Sequence, residues 1–156
     1  MISKDGKETE VLCDKDDGIR RDTTMESLGK LKPAFRKGGS TTAGNASQVT
    51  DGAALTLLMK RSTAKSLNLP ILAVFRHYAV AGVAPDIMGI GPAVSIPKVL
   101  AKGGVHLKDV DIYEINEAFA SQATYTVEKL GIDWKKVNPK GGAIAVGHPL
   151  GCTGAR

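Results

Sequence analysis

Two periods of hydrophobic patterning run along this chain, and they predict short strands alternating with helices. Residues 1–22 are charged, with a strand and turn expected around Lys7 to Cys13. Thr23 or Thr24 suits the cap of a short helix over Met25 to Lys30, and Pro33, Gly38 and Gly39 then break the pattern. The small, polar stretch from Thr41 to Ala54 reads as a loop holding a short turn of helix. Ala53 to Met59 is an apolar run of strand length, expected to be buried. A helix over Ser62 to Leu67 ends at Asn68, and Ile71 to Val80 reads as a second strand. A loop over Pro85 to Gly91 leads to a helix that Pro92 opens. That helix runs to about Lys102, with Gly103 after it and an internal Pro97 that should kink or delay it.

The last third repeats the alternation. Val110 to Ile115 predicts a third strand, with Glu114 sharing the inward face of Val110 and Ile112. Glu117 to Leu130 predicts a helix whose apolar stripe is Phe119, Ala123, Val127 and Leu130, with Gly131 at its end. Ala143 to Val146 reads as a final strand before a glycine-rich turn. Strands alternating with helices imply βαβ units, hence an α/β class with a parallel or mixed sheet.

Composition narrows this picture without replacing it. The chain has 156 residues, enough for one ordinary domain. Hydrophobic residues make up 42% and aromatic residues only 4%, so the core relies on Ala, Val, Ile and Leu. The formal charge of +5 favours acidic partners such as a phosphate-bearing small molecule. Basic and acidic residues are interspersed, so no nucleic-acid signature emerges. No run of about 18 apolar residues exists to span a membrane. Two cysteines, Cys13 and Cys152, are too few for a disulfide framework and fit no zinc site. Both ends of the chain read as cuts through longer patterns.

Candidate chemistry gathers at strand ends, where open α/β sheets bind ligands. Asn116 follows one predicted strand and His148 another, so the two are expected to share a crevice. Glycines around His148 keep its ring accessible, and Pro149 suits a helix start. A helix beginning there would favour a neutral imidazole, able to activate a thiol or bind an oxyanion. Asn116 has two readings, a cap for the following helix or an amide that positions a water or carbonyl. Phe119 reads as core. Cys152 reads either as a thiol activated by a helix start or as a small packing residue. His77 and His106 read as surface residues.

The stretches "GGAIAVGHPLGCTGAR" and "NEAFA", with "TTAGNASQVTDGAA" and "IMGIGP" in order, resemble the thiolase family from Asp17 onward. The likeness is greatest to degradative 3-ketoacyl-CoA thiolases of the peroxisomal type. It implies a thiolase-like layered fold of mixed sheet and packed helices, present as the C-terminal half only. Residues 1–40 would then be the end of the N-terminal half and a connector, and 41–156 a truncated C-terminal domain.

The resemblance implies cleavage of a 3-ketoacyl-CoA by CoA, giving acetyl-CoA and a shortened acyl-CoA in fatty acid β-oxidation. Coenzyme A is a substrate there, with no metal or redox cofactor, and the full enzyme is expected as a homodimer. By that likeness His148 activates an acyl-accepting cysteine and Asn116 holds a water, the two forming an oxyanion hole. Ser47 would lie beside the pantetheine, and Met88 and Phe119 would line the acyl pocket. Neither catalytic cysteine is carried over onto Cys13 or Cys152, so the chain is expected to be an inactive fragment. Peroxisomal localisation follows from the likeness, with mitochondrial or cytoplasmic alternatives. A biosynthetic acetoacetyl-CoA thiolase is the nearest other enzyme. A non-catalytic protein that binds acyl-CoA or a thiolase is the reading from another class.

Overall fold

The computed structural model describes residues 10–12, 14–15 and 18–156. Most of the strand and turn expected at Lys7 to Cys13, including Cys13 itself, lies outside those residues. Five α-helices are present: α1 (Met25–Gly29), α2 (Arg61–Ser66), α3 (Gly91–Gly103), α4 (Ala120–Leu130) and α5 (Ala143–Val146). Three 3-10 turns intervene, at Pro85–Ile90, Leu107–Asp109 and Trp134–Lys136.

The helices form where local chemistry starts and stops them. Thr24, rather than Thr23, caps α1: its hydroxyl accepts from Ser27 N–H at 3.1 Å, and Ser27 Oγ accepts from Thr24 N–H at 2.9 Å. After α2, Asn68 turns the chain with φ +52°. Pro97 does not end α3, which runs through it to Gly103. Gly104, one residue later than expected, takes the left-handed conformation.

α4 closes as its sequence predicts. Gly131 has φ +64°, and its N–H donates to Glu128 O at 3.2 Å. Ile132 N–H donates to Val127 O at 3.0 Å, which completes a Schellman motif. Ala123 and Val127 of the predicted stripe are buried, along with Gln122 and Thr126. Phe119 is not; it stands at the helix start, half-exposed, and meets Phe35 edge-on at 6.2 Å. The predicted loop at 85–91 is a 3-10 turn instead, and it packs with α3 against α4.

The predicted strands do not form among the described residues, which hold two isolated bridges and no ladder. Residues 53–59 and 71–80 carry no regular structure, and Leu55 and Leu72 are 88% and 95% exposed. A strand requires a neighbour for its backbone N–H and C=O groups, and no described segment pairs with these runs. The mixed sheet is therefore not seen within them. Ala143 to Val146 is one turn of helix: Val146 and Gly147 donate to Gly142 O and Ala143 O at 3.1 and 2.9 Å. A four-residue apolar run suits either structure.

In 110–115 the alternation is real but its phase is shifted by one. Tyr113 and Ile115 are buried, while Ile112 and Glu114 face outward. Tyr113 is held by a parallel bridge to Val137, and its hydroxyl donates to Leu107 O at 2.8 Å. Tyr113, Ile115, Val127 and Ile132 form the core, with Ile96, Leu107, Val110, Leu130 and Val137 packed around it.

Burial pushes the Tyr113 phenol above its ordinary value of 10.0, because the phenolate loses hydration there. A raised folded-state value means stability is intact below about pH 10 and lost as pH rises through the folded value. Tyr113→Phe removes this loss together with a hydrogen bond of about 1 kcal/mol. The variant is therefore expected to be less stable at neutral pH, with the gap closing above about pH 10. Urea denaturation of both proteins across that range measures it, and parallel pH profiles would contradict the assignment.

Candidate active site

Three segments converge at the end of the core. The first is the loop at 45–50, the second is 115–119 before α4, and the third is the turn at 147–149 after α5. Ala46 and Phe119 form an antiparallel bridge, with Ser47 N–H donating to Ala118 O and Ala120 N–H to Asn45 O, both at 2.9 Å. His148 N–H donates to Gln48 O at 2.7 Å, which ties the third segment to the first. Behind it, Arg156 Nη2 donates to Gly147 O at 2.8 Å.

This framework brings Asn116 and His148 together. Asn116 Nδ2 lies 3.3 Å from His148 Nε2 across 32 residues of sequence. The opposite ring nitrogen, Nδ1, lies 2.8 Å from Thr153 Oγ1. Both side chains are half-buried. Asn116 Oδ1 is fully shielded and has no hydrogen-bond partner among the described residues. A buried unpaired carbonyl is costly, and it marks a point where a donor is wanted.

Asn116 does not cap α4. That helix starts at Ala120, after Phe119, and Gln122 Oε1 reaches back to accept from Ala118 N–H at 3.1 Å. Ser47 is half-buried within the convergence, next to Gln48. Phe119 borders it. Met88 lies on the 3-10 turn at Pro85–Ile90, 73% exposed. Cys152 is buried with a free thiol, its N–H donating to Pro149 O at 2.8 Å. His77 and His106 are exposed, as expected.

Two polar residues escaped the reading of the sequence. Asn138 sits at φ +46° and its amide grips the segment that carries Asn116. Its Oδ1 accepts from Ile115 N–H at 2.7 Å, and its Nδ2 donates to Ile115 O at 2.9 Å and Glu117 Oε1 at 2.8 Å. Glu117, not Glu114, is thus the inward carboxylate. A Cβ on Gly142 would run into that carboxylate and force it to move aside. An asparagine just before a proline was the available signal for Asn138, since asparagine tolerates positive φ better than most residues.

The model for "Thiolase, C-terminal domain" matches residues 69–156, and that for "Thiolase, N-terminal domain" matches residues 1–62. This chain belongs to the thiolase family. It is 64% identical over 156 residues to the peroxisomal 3-ketoacyl-CoA thiolase B of Rattus norvegicus, covering 100% of this chain and 37% of that one. Among solved structures it matches the dimeric peroxisomal thiolase of Saccharomyces cerevisiae, with a TM-score of 0.86 and 56% identity over 92% of this chain and 37% of that chain. It also matches a human mitochondrial 3-ketoacyl-CoA thiolase in complex with CoA, with a TM-score of 0.82 and 46% identity over 90% and 36% of the two chains. The chain has the thiolase fold over that span. It covers little more than a third of the length of these relatives.

Asn138→Ala leaves the N–H and C=O of Ile115 without partners. The expected cost is about 2–3 kcal/mol, read as a lowered urea midpoint. Asn138→Gly suits the left-handed backbone yet loses the same amide, so it is expected to be destabilised too. A glycine variant as stable as the parent would show that the amide bonds contribute nothing.

Proposed function

We propose that this thiolase chain supplies the histidine–asparagine oxyanion hole of an acetyl-CoA C-acyltransferase acting on 3-ketoacyl-CoA. The observation that carries the reading is the 3.3 Å approach of Asn116 Nδ2 to His148 Nε2. The likeness to peroxisomal 3-ketoacyl-CoA thiolases supports the substrate class and a peroxisomal location. The relative solved in complex with CoA supports CoA as a substrate. A homodimer is the proposed assembly of the whole enzyme, by analogy with the dimeric yeast relative.

In this reaction a cysteine thiolate adds to the 3-keto carbon. The C2–C3 bond breaks, and its electron pair passes into the enolate of acetyl-CoA, which then takes a proton. Free CoA finally takes the acyl group from the cysteine. His148 Nε2 receives the proton of the attacking thiol and afterwards donates a hydrogen bond to the developing oxyanion. In this reading Asn116 holds a water that is the second donor. Preorganised donors stabilise charge that appears only in the transition state. Ser47 lies beside the pantetheine in this reading, and Phe119 and Met88 line the acyl pocket. Neither Cys13 nor Cys152 is assigned as a catalytic thiol.

The test is a chimaera in which these 156 residues replace the matching stretch of the rat thiolase B. It is expected to cleave 3-ketoacyl-CoA with CoA. His148→Ala and Asn116→Ala are each expected to lower kcat by roughly a hundredfold or more. Full thiolysis by the His148→Ala chimaera, measured as acetyl-CoA release, would reject the assignment.

A further inference from the structure

We infer that Thr153 is a positioning residue that sets the tautomer of His148, keeping the proton on Nδ1 and Nε2 as an acceptor. The meaning of this for catalysis rests on the reading of His148 given above; the tautomer itself does not.

The inference follows from counting donors and acceptors along one line of contacts. The Thr153 hydroxyl has a single proton and lies 3.2 Å from Pro149 O, which can only accept. With that proton on Pro149 O, the Thr153 oxygen has lone pairs directed elsewhere. His148 Nδ1 is 2.8 Å away and donates to them as Nδ1–H. At the far side of the ring, Nε2 faces the Asn116 amide nitrogen, which can only donate, at 3.3 Å. The polarity is then consistent throughout: Asn116 Nδ2–H to Nε2, Nδ1–H to Thr153 Oγ1, and the Thr153 hydroxyl to Pro149 O.

The reverse polarity fails at one point. A proton on Nε2 would meet the amide N–H of Asn116, donor against donor. Turning the amide over would relieve that contact. It would also put an NH2 group at the solvent-shielded position where Oδ1 now stands. That exchange trades one shielded acceptor for a shielded group with two hydrogens to satisfy.

Thr153 reaches the ring because of Pro149. Thr153 N–H donates to Pro149 O at 3.0 Å, closing one helical turn that swings the hydroxyl back under the imidazole. Residue 153 thus lies beneath the ring although five positions separate it from His148. The consequence is a ring ready to take a proton at Nε2, the nitrogen on the Asn116 side. Once protonated there, the same nitrogen becomes a donor, and the Asn116 amide N–H must give way to it.

The test is a long-range 1H–15N spectrum of the 156-residue chain carrying 15N-histidine, at alkaline pH where imidazoles are neutral. His148 is identified by its loss in His148→Gln, and the exposed His77 and His106 serve as references. The parent is expected to show a pyrrole-type Nδ1 and a pyridine-type Nε2 at His148. His77 and His106 are expected to favour Nε2–H, as free histidine does. Thr153→Val is expected to lose the Nδ1–H preference while keeping its dispersed amide spectrum, and Thr153→Ser to retain that preference. Nε2–H as the main tautomer of parent His148 overturns the inference however the variants behave. A folded Thr153→Val with the parent's tautomer overturns it as well. Neither reading depends on thiolysis, so the tautomer and the proposed function stand or fall separately.

Discussion

One side-chain amide holds the segment on which the proposed site depends. Asn138 presents Oδ1 and Nδ2 to the N–H and C=O of Ile115, much as a neighbouring strand would. Its second amide hydrogen goes to Glu117. Asn116 lies between the two gripped residues, so its backbone is fixed from both sides. Elsewhere this segment has the bridge of Tyr113 to Val137, the bonds of 118–120 to the 45–47 loop, and the contacts of Ala118 with Gln122 and of Glu117 with Ile144. Each such bond contributes about 1 kcal/mol, but an unpaired buried N–H or C=O costs more. The geometry of Asn116 is therefore set by satisfied backbone polarity more than by apolar packing.

Helices were legible in the sequence because their signals are local. Thr24 with Ser27, Asn68, and Gly131 act within a few residues of the turns they govern. The strands predicted at 53–59, 71–80 and 143–146 came from apolar runs alone. A strand is completed by a partner distant in sequence, and a run of Leu and Val does not specify one. Where a partner does exist, at Tyr113 and Val137, the alternation of 110–115 appears as predicted in period. It is displaced by one residue, because the Tyr113 hydroxyl and backbone bonds select the inward face. The inward carboxylate is Glu117, in phase with Tyr113 and Ile115, rather than Glu114.

The site divides along the same line. His148 and Asn116 were readable as candidates because glycines framed one and a strand end preceded the other, and the structure brings them to 3.3 Å. Gln48 and Thr153 were not readable, and Asn138 offered only its place before a proline. Each acts through a bond that exists only after the chain has turned, and none carries a distinctive residue spacing. The reading of Asn116 as a helix cap failed for a local reason. Gln122 already caps that end, which leaves the Asn116 amide free to face the imidazole.

The exposed apolar stretch between residues 53 and 80 meets this geometry only at its edge, where the Thr56 hydroxyl donates to Ala155 O at 3.5 Å. The buried cluster is small, centred on Tyr113, Ile115, Val127 and Ile132. It is joined to the 147–153 turn through Asn138, Glu117 and the Glu117 contact with Ile144 N–H at 3.4 Å. The other tie of His148 is to Gln48, in a loop that ends before the exposed stretch begins. No bond in this circuit passes through residues 53–80. Loosening that stretch would leave the bonds around His148 intact. Loosening Asn138 or the 45–48 loop would break the circuit at one of its few closures.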